Sequence, residues 1–256
     1  LSGLTAISLS YFVASTLLVM VSAAPAEAAS DVPVPRPKPQ LDSAQKDNLD
    51  PVAKTRDESV VPPPPKQTVP AFDLAIAKKC EAALRSLGAG FSVGKPLEGE
   101  SICGWPRPLN LETVGEQVRV TGEPQVRCEV ALALAQWSRE VVKPAASLHL
   151  ENDVSKILIS TSYQCRRRNN AATGKVSEHG FANGVDVTGF ELKDGRKVLI
   201  ASRLNSIEPA RAFQAAVRGG SCAYFTTVLG PTTNAAHDNH LHLDLAIRRG
   251  GYRLCQ

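Results

Sequence analysis

Three of the chain's five histidines lie within eight residues, in the run His237-Asp238-Asn239-His240-Leu241-His242-Leu243-Asp244. Imidazole is a common metal ligand and an acid–base group poised near neutrality, so this crowding points to a metal, to proton transfer, or to both. Polar and apolar residues alternate from His240 to Leu245, which is the pattern of a strand. Side chains two apart on a strand share a face. The pattern therefore predicts His240, His242 and Asp244 on one side and Leu241, Leu243 and Leu245 toward a core. A His-x-His pair by itself is an ordinary feature of a solvated strand; a second run gives it weight.

That run is Ser177-Glu178-His179-Gly180-Phe181-Ala182-Asn183-Gly184-Val185-Asp186-Val187, with an aspartate seven residues after its histidine. Seven extended residues span roughly 23 Å, whereas ligands of one zinc stand only about 3–4 Å apart. The chain must fold back between the two, and Ala182-Asn183-Gly184 has the small, turn-permissive residues to do so. Val185 to Val187 then begins a strand that can lie beside the His242 strand. His179, Asp186 and His242 together offer two nitrogens and one oxygen to Zn2+. A fourth position stays open for water, as in catalytic rather than structural zinc sites.

These residues resemble the LAS metallopeptidases, which include D-Ala-D-Ala carboxypeptidases and the penicillin-insensitive murein endopeptidase. The shared pattern is Ser-x-His, an Asp seven residues on, and a distal His-x-His. The spacing of His237, His240 and His242 matches that endopeptidase as well. More narrowly, Cys103-Gly104, Ser162-Tyr163 with Cys165-Arg166, Ser177-Glu178-His179 and His237 to Asp244 resemble the bacterial extensin-like C-terminal family over roughly residues 78–256. The chain departs from the peptidase pattern in having Ala182 and Gly184 where Gly and then Ala are usual, and Asn239 where Asp is more frequent. The resemblance implies a zinc peptidase with ligands His179, Asp186 and His242. His240 is then the proton-transferring base, His237 a further active-site imidazole, and Arg166 a substrate-facing guanidinium that holds a carboxylate or polarises a carbonyl. Ser177 is expected to brace the loop and Asp244 to orient an imidazole.

The elements that must position these groups follow from composition. Leu4 to Ala26 carries no charged side chain and runs into Ala26-Glu27-Ala28-Ala29. Residues 1–29 therefore read as a secretory signal with a small-residue cleavage site, or alternatively as an uncleaved N-terminal anchor. Ser30 to Pro70 holds ten of the eighteen prolines, including Pro62 to Pro65. It buries too little apolar surface to order itself, so 30–70 reads as an extended linker. Residues 71–256 form the globular part.

Within that part, apolar spacing predicts helices over Phe72–Leu87, over Val130–Val142 (closed before Pro144) and over Glu208–Val217. Strands are expected over 157–160, 185–190, 198–201, 224–229 and 240–247. The expected fold is α+β, with a small, mainly antiparallel sheet carrying the zinc site and helices flanking it, as in LAS and hedgehog domains. His149, Trp105 and Trp137 are expected to be structural.

All six cysteines (Cys80, Cys103, Cys128, Cys165, Cys222, Cys255) fall in the globular part, and none forms Cys-x-x-Cys. An even count in an exported chain predicts three disulfides and an oxidising compartment, the periplasm. Fifteen connectivities satisfy six cysteines; the expectation pairs Cys222 with Cys255, pinning the C-terminus beside the metal strand.

A net charge of +4 is compatible with an anionic wall polymer. Aromatics at 5% are too sparse for a base-stacking track, so nucleic acid is not an expected partner. The expected activity is hydrolysis of peptide bonds in peptidoglycan stems or crosslinks, without stable membrane contact once the leader is removed. The alternative is a catalytically silent zinc-containing wall-binding module. No oligomeric state is specified.

Overall fold

The computed structural model describes residues 71–99, 102–115, 117–201 and 208–256. The expected leader and proline-rich linker lie outside the described residues.

Helix α1 (Leu74–Ser86) starts where Asp73 caps it, the carboxylate accepting from the N–H groups of Ala75 and Ile76 at 2.7 and 3.1 Å. It ends ahead of Gly88, which takes the left-handed conformation (φ 75) a helix stop needs. Six short strands follow: β1 (Phe91–Val93), β2 (Leu97–Glu98), β3 (Gly104–Trp105), β4 (Leu109–Leu111), β5 (Arg119–Val120) and β6 (Gln125–Val126). None is long enough to show a period of two, which is why the sequence does not announce them.

Helix α2 (Cys128–Trp137) does not close before Pro144 as expected. It passes through a π turn (Ser138–Val142) into α3 (Lys143–Leu150). The reason is the wider turn. The Lys143 N–H bonds to the Ser138 carbonyl, and Pro144 falls in the first turn of α3, where a missing N–H is tolerated.

The remaining elements are β7 (Val154–Thr161), β8 (Gly184–Leu192), β9 (Lys197–Leu199), α4 (Glu208–Ser221), β10 (Thr227–Leu229), β11 (Leu241–Asp244) and β12 (Leu254–Cys255). β10 starts later than expected because Tyr224 and Phe225 still bond back to Ser221 in the turn that ends α4. β11 starts one residue after His240 and stops at Asp244.

The fold is mixed α+β, with antiparallel pairing dominant. β12-β10-β11-β8-β7-β5 form one sheet, and β9 joins it beside β8. Only β10–β12 and β5–β7 run parallel. With seven strands the sheet is larger than expected; β1-β4-β6 and β2-β3 make two smaller ones. β8 is the organising strand. It pairs with β7 along one edge, and with β11 and then β9 along the other.

The core lies between this sheet and the helices. Trp137 is fully buried, its ring 5.9 Å from Phe190 and 6.3 Å from Phe225, and its Nε1–H donates to Val217 O at 3.1 Å. Val185, Val187, Phe190, Leu241 and Leu243 face this core. Three disulfides join Cys80–Cys128, Cys103–Cys165 and Cys222–Cys255, leaving no free cysteine. The expected Cys222–Cys255 pair ties α4 to β12, which lies beside β10, one strand removed from β11. His149 lies in α3, and Trp105 is buried in β3.

Candidate metal centre

The fold-back between His179 and Asp186 is a tight 3-10 turn over Glu178–Phe181. It is closed by Gly180 N–H to Ser177 O at 2.9 Å and Ala182 N–H to His179 O at 3.0 Å. Ala182 itself is left-handed (φ 52) and fully buried, a backbone conformation that glycine adopts at less cost. Gly184 has an equally local reason. A Cβ there would stand 3.2 Å from the Asp244 Cβ and 3.5 Å from the His242 Cε1.

The strand register then completes the site. Asp186 on β8 lies opposite His242 on β11 and opposite Thr161 on β7. His179 Nε2, Asp186 Oδ1 and His242 Nδ1 form a near-equilateral triangle: 3.2 Å from His179 to Asp186, 3.1 Å from His179 to His242 and 3.0 Å from His242 to Asp186. All three residues are buried, and they are the one group of His, Cys, Asp and Glu among the described residues that can hold a metal ion.

Both imidazoles are oriented from behind. His179 Nδ1–H donates to Ser162 O at 2.6 Å, leaving Nε2 with its lone pair toward the triangle. His242 Nε2–H donates to Asp244 Oδ2 at 2.9 Å, which makes Nδ1 the ring nitrogen that faces the triangle. Asp244 is in turn held by Thr227 Oγ1–H and by the Ala246 N–H at 2.9 Å, while Arg248 donates to Thr227 Oγ1 at 2.5 Å. Ligands of a tetrahedral zinc bonded at 2.0–2.1 Å stand about 3.3 Å apart, so the spacing, the donor set and the oriented imidazoles fit such an ion.

In the metal-free protein the charges of this cluster are strongly coupled. Burial disfavours both ions, yet the hydrogen bonds between them outweigh it. His242 is raised to about 9 by Asp186 and Asp244, and Asp186 is held far below the ordinary carboxylate range by His179 and His242. A metal must therefore displace a proton from His242 as it binds.

The triangle opens on a cleft of about 470 Å³, into which His237, His240 and Arg166 also face. His240 Nε2 is 3.7 Å from Asp186 Oδ1, and its Nδ1–H donates to Asn239 Oδ1 at 2.9 Å. His237 sits in a 3-10 turn (Ala235–His237), its ring 5.2 Å from His240 and its Nδ1–H donating to Asn234 Oδ1 at 2.8 Å. Burial pushes His237 down to about 4, helped by the neighbouring His242 and His240. Burial also lowers His240 against the pull of Asp186. Both imidazoles are neutral at pH 7 and able to accept a proton. Arg166 reaches 3.9 Å from Asp186 Oδ2 with one guanidinium nitrogen, while its Nε–H donates to Gln164 Oε1 at 2.9 Å. Ser177 braces the loop through its backbone, its N–H donating to Arg166 O at 2.9 Å.

A family model described as the extensin-like protein C-terminus matches residues 78–256. The chain belongs to this family. No curated protein and no solved structure shows a significant match to it. In this member of the extensin-like family, five of the six sequence-predicted site residues (Arg166, Asp186, His237, His240 and His242) line one cleft, and the sixth, His179, is fully buried directly behind Asp186 and His242. Sequence reasoning did not find the carbonyl of Ser162, or Thr227 and Arg248 behind Asp244. A backbone acceptor has no residue-type signature, and the other two reach the site only through strand pairing.

Proposed function

We propose that the protein is an exported zinc metallopeptidase that hydrolyses peptide bonds in peptidoglycan stems or crosslinks. The observation that carries this reading is the triangle of oriented donors, buried at the base of a cleft that holds two further neutral imidazoles. A closed structural site has no use for those imidazoles. The likeness of the two histidine runs to LAS peptidases supplies the substrate class.

Zinc, when bound, supplies Lewis acidity and lowers the pKa of a water toward neutrality. His179 Nε2, Asp186 Oδ1 and His242 Nδ1 hold it. His240 Nε2, which has no hydrogen-bond partner among the described residues and belongs to a neutral ring, takes the proton of the attacking water and returns it to the leaving amine. His237 is a second neutral base on the same wall. Arg166 offers a guanidinium to a substrate carboxylate or to the developing oxyanion. Export to the periplasm is supported by the charge-free stretch Leu4 to Ala26 and by cysteines fully committed to disulfides.

The test uses purified protein, isolated sacculi and a metal chelator. Wild type releases soluble peptide fragments, and the chelator abolishes release. His179→Ala, Asp186→Ala and His242→Ala lose zinc and activity together. His240→Ala keeps near-stoichiometric zinc while turnover falls about 100- to 10,000-fold. Loss of zinc from His240→Ala would redraw the ligand set. Wild type that binds zinc and sacculi but releases nothing would make the protein a wall-binding module.

A further inference from the structure

The turn between His179 and Asp186 is held from the side by a residue far away in sequence. Arg127 immediately precedes α2, next to the Cys80–Cys128 disulfide. Its backbone N–H donates to Ala182 O at 2.8 Å, and its side-chain Nε–H donates to Phe181 O at 2.7 Å. One residue thus takes up two consecutive carbonyls of the turn, those of Phe181 and of the left-handed Ala182. The guanidinium lies over Trp105, its Cζ 3.7 Å from the ring centroid, and the residue is 7% exposed. Among the described residues no carboxylate pairs with it, and its Nη2 is buried without a hydrogen-bond partner.

A buried cation that leaves a donor unused is costly to keep. A left-handed alanine, however, persists only where its surroundings over-determine it, and Arg127 does that at the point that sets the separation of His179 from Asp186.

We propose that Arg127 is a positioning residue for the metal centre, clamping the Phe181–Ala182 turn so that His179 and Asp186 meet a divalent metal together. This rests on the reading of the triangle as a metal site. It predicts a loss of affinity where a merely structural arginine would lower only the melting temperature. Outer partners of metal ligands typically govern affinity by about 10- to 100-fold, and a clamp on the ligand turn belongs in that range.

The experiment compares wild type, Arg127→Met and Arg127→Lys. Zinc affinity is measured by competition with a chromophoric chelator, and amide hydrogen exchange is followed over residues 178–184 in the metal-stripped proteins. Arg127→Met should bind zinc about 10- to 100-fold more weakly. It should also exchange faster at Ala182 and Asn183, with α2 and β8 beyond Val187 unchanged. Arg127→Lys, which keeps a cationic donor group, should fall between it and wild type. A natively disulfide-bonded Arg127→Met with wild-type zinc affinity overturns the proposal. If that variant fails to form its disulfides, Arg127→Lys decides, and wild-type affinity together with wild-type exchange in it overturns the clamp. Wild type that binds no zinc refutes the metal site instead, and the exchange data then decide the clamp by themselves.

Discussion

Asp244 is the residue whose role the structure sharpens most. The alternation of the strand places it on the face of His242, but only the 2.9 Å bond to Nε2 makes it the group that orients that candidate ligand. Asp244→Asn keeps the shape and removes the charge, so zinc affinity should fall about 10- to 100-fold while the fold is retained. Chelator competition alongside circular dichroism checks this.

A second residue-scale pair lies away from the site. Arg107 Nε–H donates to the buried Glu81 carboxylate at 2.7 Å, with a further bond from Nη2 at 3.2 Å. The hydrogen bond from Arg107 holds Glu81 below its ordinary value of 4.5 despite burial. A lowered folded-state pKa contributes stability that is present above about pH 4.5 and lost as pH falls through the folded value. Arg107→Met should therefore cost about 1–3 kcal/mol at pH 7 and less at pH 3, as read from urea unfolding at both. An equal cost at the two pH values would remove Glu81 from the explanation.

At the scale of elements, β8 has to serve two faces. Val185 and Val187 face the core and Asp186 faces the cleft, but Phe190 and Leu192 also face the core, which breaks the period of two. A bulge resolves this. Leu158 pairs with Gly189 and Ile159 with Val187, so Thr188 is the extra residue, and its hydroxyl donates to Leu158 O at 3.2 Å. The same strand can then bury two phases of apolar side chains and still aim a carboxylate at the candidate metal centre. Helix α2 meets this strand through Trp137, packed on Phe190. Trp137→Ala should destabilise by about 3–5 kcal/mol, because the cavity cannot collapse between α2, α4 and the sheet. Trp137→Phe should cost less, keeping most of the packing while losing the bond to Val217. Chemical denaturation orders the two.

At the scale of the whole molecule, the disulfides join α1 to α2 (Cys80–Cys128), the segment before β3 to the one after β7 (Cys103–Cys165), and the end of α4 to the C-terminal strand β12 (Cys222–Cys255). Thiol titration of denatured, unreduced protein should find no free thiol; two or more reactive thiols would contradict the pairing. Cys222–Cys255 closes a loop with a sequence separation of 33 and holds β12 against β10. Replacing both cysteines with serine should lower stability by about 4 kcal/mol, from loop-closure entropy alone. The candidate metal centre lies one strand further in, on β11, so under the proposed zinc reading the double variant should keep its zinc at temperatures where it remains folded. Among the described residues no helix is long and apolar enough to cross a membrane.

The residues of the candidate site were legible from the sequence because their signals are local. A His-x-His on an alternating strand and a histidine seven residues before an aspartate each carry their own spacing, and the small residues between them carry the turn. The longer helices and strands were legible for the same reason, since periodicity accumulates over many residues. Two- and three-residue strands such as β2, β3 and β6 accumulate none. The continuation of α2 through Pro144 depended on a π turn that no single residue announces. Register was likewise beyond the sequence. That Asp186 lies opposite His242, that Ser162 O meets His179 Nδ1, and that Arg127 grips the turn from 54 residues away are consequences of how separate segments pack. The sequence by itself determined which groups were present and which could share a face; their separations of about 3 Å were decided by strand pairing and core packing, because only tertiary contacts bring distant segments within hydrogen-bonding range.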